Sequence, residues 1–127
     1  MNLKSISAGL VGFTLLLIAG CTGAVAEPPS AEQAREALVT ALGAWKRGEK
    51  PTDLQARQPA VHVADGDWSE GCKLQAYQIL PGQNEQGGSL RVKVSLSMRD
   101  ARGKSVEKRV AYFVGTRPAI TIGREFE

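Results

Sequence analysis

The chain has 127 residues, of which 43% are hydrophobic, 23% charged and 6% aromatic, with a formal net charge of +3. That is enough for one domain and too little for two, and the composition excludes a disordered chain. The charge gives only a weak bias toward anionic lipid, glycan or nucleic acid, and a single histidine excludes a multi-histidine metal site.

Met1 to Ser5 carries one cation, Lys4, and an apolar run follows from Ile6 to Ala19. The run is short for a membrane span, which takes roughly 20 residues. The small pair Ala19-Gly20 precedes Cys21. Leu17 or Ile18 with Ala19, Gly20 and Cys21 resembles the lipobox of bacterial lipoproteins. The resemblance implies a signal peptide over residues 1–20, cleavage before Cys21, a diacylglycerol thioether on that sulfur and palmitate-type acylation of the new amine. Only a thiol is nucleophilic enough for such alkylation. Thr22 stands where aspartate commonly retains a lipoprotein at the inner membrane. The family rule therefore implies an outer-membrane location facing the periplasm. Residues 21–29 then form the lipidated cysteine and a flexible linker. "TGAVAEPP", Thr22 to Pro29, reaches at most about 26 Å.

A single α+β domain is expected over residues 30–127. Ser30 is an N-cap and Gln33 completes a capping-box pattern. Ala34, Leu38, Ala41, Leu42 and Trp45 then form one apolar helical stripe, with Gly48 as its stop. Glu49 to Ala60 reads as a connector with one helical turn begun by Thr52. Val61 and Val63 predict a short strand that turns His62 away from them. Cys72 to Leu80 predicts a longer strand, and Pro81 to Gly88 a loop.

Leu90, Val92, Val94, Leu96 and Met98 alternate strictly with Arg91, Lys93, Ser95, Ser97 and Arg99, the pattern of a half-buried strand. "DARGK" turns the chain back. Pairing Arg99 with Ser105 sets Met98 against Val106, Val94 against Val110 and Val92 against Tyr112, all on one face. A last strand, Ala119 to Arg124, follows "GTRP". The expected fold is one helix across a curved four- to five-stranded antiparallel meander. This order resembles the cystatin-like and NTF2-like folds, whose concave sheets often bind ligands. "DGDWSEGCKLQAY" and "YFVGTRPAITIGRE" are also similar to runs in small bacterial proteins, a resemblance that brings no activity with it.

Asp65, Asp67 and Ser69 are spaced like the first ligands of a calcium loop. Glu70 stands where that loop needs glycine, and Ala76 where it needs a bidentate glutamate. The stretch reads instead as a turn, with Trp68 covering the core edge. His62 and Cys72, with Asp65 or Asp67, offer a nucleophilic dyad for a hydrolase-type enzyme, without any flanking signature. With Cys21 acylated, Cys72 has no partner in the chain: it is buried, or it links two chains, leaving monomer and Cys72-linked dimer both open. Arg91, Lys93, Arg99 and Arg109 form a candidate anion-binding face, with Lys108 and Arg102 toward the hairpin and Phe113 opposite Arg91. Too few aromatics interleave for nucleic-acid stacking. There is no P-loop, Rossmann glycine pattern, G-x-S-x-G or CxxC, and no cofactor is expected.

The leading expectation is a non-enzymatic, membrane-anchored envelope module that binds a protein or small ligand. The others are a hydrolase built on His62 and Cys72, and a structural lipoprotein whose basic face holds an anionic glycan.

Overall fold

The first helix, α1 (Ala31–Lys46), forms where the apolar stripe and its cap coincide. The Ser30 hydroxyl accepts from the Gln33 amide at 3.0 Å, leaving one fewer orphan donor at the N-terminus. Ala34, Leu38, Ala41, Leu42 and Trp45 are buried along one face. The helix ends at Arg47, and Gly48 supplies the positive φ (89°) that turns the chain out. The computed structural model describes residues 30–125.

A short helix, α2 (Pro51–Gln55), opens one residue before the expected Thr52. Proline is favoured in this first turn because the position needs no amide donor. The Lys50 amide donates to the Asp53 carboxylate, and Leu54 is fully buried. β1 (Val61–Ala64) leads into α3 (Gly66–Ser69), capped by Asp65. β2 (Lys73–Ile79) follows, then β3 (Asn84–Gln86), β4 (Ser89–Arg99), β5 (Ser105–Gly115) and β6 (Ile120–Arg124). β3 lies inside the expected loop 81–88. Gly87 and Gly88 both take positive φ there, the conformation a two-residue hairpin turn requires.

The strands make one curled sheet in the order β1-β6-β5-β4-β2, with β3 pairing β4 beyond β2. The β4–β5 register is the expected one, with Arg99 against Ser105, Val94 against Val110 and Val92 against Tyr112. The sheet is not the antiparallel meander expected, however. β1 pairs β6 in parallel, Val61 against Ile120 and Val63 against Ile122, so the sheet is mixed and six-stranded. The reason lies in α3. It carries the chain from the end of β1 across to β2 at the opposite edge, and the meander then works back until β6 lies beside β1, running the same way.

Strand alternation divides the two faces. Val92, Val94, Leu96 and Met98 of β4, Val110, Tyr112 and Val114 of β5, and Ile122 of β6 are buried on the inner face against α1. Each fully buried aliphatic side chain contributes about 1.5–3 kcal/mol. α1 thus fills the concave side of the sheet. At the end of the sheet where α3 sits, the rings of Trp45 and Trp68 stack at 5.3 Å between centroids and 10° between planes. Each indole N–H is satisfied at 2.8 Å, Trp45 by the Cys72 carbonyl and Trp68 by that of Glu49. The opposite end gathers the first turns of α1, the 80–88 loop and the β5–β6 turn; Arg35 Nη1 reaches Gln83 there at 3.5 Å. β2 is an edge strand, and its ladder with β4 is interrupted by a bulge between Leu74 and Ala76.

Candidate functional site

Three places gather polar or chemically active groups. The first is a buried charge network under α3. Asp65 is 3% exposed. One of its carboxylate oxygens caps α3, accepting from the Asp67 amide at 3.0 Å and the Trp68 amide at 3.3 Å. The other accepts from the Tyr112 hydroxyl and, at 3.1 Å, from Arg124 Nη2. Arg124 Nη1 donates to Asp67, which also receives Lys108 Nζ at 3.1 Å. The Arg124 guanidinium lies 5.8 Å from the centre of the Tyr112 ring, and its Nε is buried without a hydrogen-bond partner among the described residues.

Strand parity explains the meeting. Arg124 pairs with Tyr112 and shares the inner face with Ile122, while Lys108 stands opposite Leu96 on that same face. Burial acts against the charge on Asp67, but the hydrogen bonds from Arg124 and Lys108 outweigh it and hold the carboxyl below the usual aspartate range. Burial, reinforced by the Asp65 charge, pushes the Tyr112 hydroxyl far above its ordinary value. With both carboxylates engaged, the Asp-x-Asp spacing that resembles a calcium loop is spent on closing one end of the sheet. Among the described residues no three His, Cys, Asp or Glu side chains converge as a metal site.

The second place is the basic face. Arg91, Lys93 and Arg109 surround one shallow depression of about 270 Å³ on the outer face of the sheet, with Leu80, Ala111 and Glu125. Arg91 is not free. Its Nε and Nη2 donate to Glu125 at 3.0 and 2.7 Å. That pair raises the arginine and lowers the glutamate relative to their ordinary values. Arg99 lies at the far end of β4 and donates to the Gly103 carbonyl at 2.9 Å. Lys108 does not belong to this face at all. Its even position in β5 turns it inward, to Asp67.

The third is a cleft of about 470 Å³ at the end of the sheet where α1 begins. Ala37, Val61 and Ile120 form its floor. Gln33, Glu36 and Thr40 of α1 make one wall, and Arg57, Gln58 and Arg117 the other. Arg57 is tied to Glu49 by contacts of 2.8 and 3.1 Å, whereas Arg117 is exposed at the rim. A wider cleft beside Trp45 and Trp68 offers a ligand little aromatic surface, because those rings are only 3% and 6% exposed.

His62 and Cys72 do not meet. His62 is exposed on β1 at one edge of the sheet, while Cys72 leads into β2 at the other, with three strands between them. Cys72 has no disulfide partner among the described residues and is half-buried. Burial and the charges of Asp67, Asp100 and Glu70 raise its thiol above the ordinary value, the opposite of nucleophile activation. Cys21 and the segments expected to be a signal peptide and a linker lie outside the described residues, and no described helix is long and apolar enough to cross a membrane. Against models of known families, curated proteins and solved structures, the chain finds no match.

Sequence reading missed the roles of Tyr112, Lys108 and Arg124. The signal was a charge at an inward position: extending the Ile120–Ile122 alternation by one step places Arg124 on the core side.

Proposed function

We propose that this protein is a lipid-anchored binding module of the bacterial envelope, held at the periplasmic side of the outer membrane through acylated Cys21, with a cystatin-like or NTF2-like domain that acts by binding rather than by catalysis. The observation that carries the binding reading is the cleft between α1 and the β1–β6 edge. Its apolar floor and its rim of amides, hydroxyls and two guanidinium groups are the ingredients of a small-ligand or peptide site. The concave sheet face that such folds often use is filled here by Leu38, Leu42 and Trp45, so a ligand binds elsewhere, and this cleft offers it an apolar floor beside polar groups. The separation of His62 from Cys72 favours binding over hydrolysis.

A photoreactive residue at Thr40, in the cleft wall, tests this in the native cell, with one at Lys104 on the β4–β5 hairpin as control. An adduct at Thr40 that is absent at Lys104, and that disappears when Ala37→Trp fills the cleft, is expected. Equal labelling at both positions, or labelling that survives Ala37→Trp in a folded chain, overturns the cleft as the binding site.

A further inference from the structure

The outer face of the sheet carries an excess of positive charge. The register places Lys73 of β2, Arg91, Lys93 and Arg99 of β4, and Arg109 of β5 on it, against Glu107 and Glu125. Lys73, Lys93, Arg99 and Arg109 are exposed. Among them stand the small residues Ser95, Ser97 and Ala111, with Gln78 and Leu80 on the β2 side and a half-buried Phe113 ring beside Arg91.

We infer that this face lies against the anionic headgroups of the bilayer to which the chain is anchored, fixing the orientation of the domain. The inference rests on the acylated Cys21 reading. Charge complementarity fits an anionic occupant, and cations at an anionic membrane surface each strengthen partition about fivefold. Reach selects lipid over a free polymer. Residues 22–29 span at most about 26 Å. α1 packs directly on the sheet, so its first residue stands about one layer, roughly 10 Å, from the strands. α1 lies on the opposite, inner face, but the tether is longer than that layer, so it lets this face reach the bilayer at the high effective concentration a short tether imposes, where a modest attraction suffices.

The experiment uses the full lipidated chain in vesicles of phosphatidylcholine alone and of phosphatidylcholine mixed with phosphatidylglycerol. Acetylation rates of individual lysines are read by mass spectrometry. Lys93 and Lys73 are expected to react several-fold more slowly on the anionic vesicles and to recover at high salt, while Lys46 on α1 reacts equally on both. In the Lys93→Glu, Arg109→Glu variant the protection of Lys73 is expected to vanish. A chain that floats with both vesicle types but leaves Lys93 equally reactive overturns the inference alone. Protection by a soluble anionic polysaccharide without protection by vesicles also overturns it, and makes the polymer the occupant. A chain with no acyl mass that floats with neither vesicle overturns the anchor and this inference together.

Discussion

Arg124, the last residue of β6, reaches back 59 positions to Asp65, the cap of α3, and ties the end of the sheet to the element that closes it. The contact is charged, nearly dry and shared with Tyr112 and Asp67. Three elements, α3, β5 and β6, therefore meet at one guanidinium.

Removing one partner of this pair leaves part of the other's buried charge uncompensated. Asp65→Ala and Arg124→Met are each expected to cost about 3–5 kcal/mol in chemical denaturation. The double variant Asp65→Ala, Arg124→Met is expected to lose clearly less than the sum of these two single changes, because neither charge of the pair remains. Strict additivity would show that the two residues act separately.

The Tyr112 hydroxyl donates to Asp65 inside the same network. Tyr112→Phe removes that donor without opening a cavity and is expected to cost about 1–3 kcal/mol. A loss near that for Leu38→Ala, about 2–5 kcal/mol, would point to a packing defect instead.

Asp67 titrates below its ordinary value in the folded chain because Arg124 and Lys108 favour its charged form. A lowered carboxylate pKa stabilises the fold fully above the unfolded value, about 3.9, and the contribution is lost as pH falls through the lower folded value. Denaturation midpoints are expected to fall on acidification through that window in the parent. In Asp67→Asn the slope from this group is expected to be absent.

Trp45 and Trp68 stand close enough and parallel enough for their transitions to couple. Circular dichroism of the folded chain is expected to show an exciton pair in the indole bands, abolished by either Trp45→Phe or Trp68→Phe. Survival of the band in a single variant would mean that the rings do not stack in solution.

The raised Cys72 thiol carries a further expectation. Alkylation at neutral pH is expected to run several-fold slower than for a small free thiol and to accelerate on unfolding. A fast reaction of the folded protein would place the sulfur in the open.

Much of this architecture is local and was legible. The α1 stripe and its Ser30 cap, the strict alternation of β4 and the register that sets Val94 against Val110 follow from residues close in the chain. The parallel pairing of β1 with β6 was not legible, because a four-residue strand carries no mark of direction and its partner lies about sixty positions away. The candidate surfaces divide in the same way. Arg91, Lys93 and Arg109 share a face through the parity of two adjacent strands. Lys108 breaks that face by the same parity. The cleft, assembled from α1, residues 57–59 and the β5–β6 turn, exists only after long-range folding.

A half-open sheet has a rim, and the rim formed by β2 is long enough to recruit a strand from a neighbouring copy. The kink at Gln75 spoils it as a template, since the extra residue breaks the even spacing of outward amides and carbonyls that a docking strand needs. The charged Lys73 at its start adds repulsion between like copies. Chains crowded together during synthesis are thereby discouraged from zipping into fibrils, and straightening that kink by deleting Gln75 should raise the tendency to polymerise.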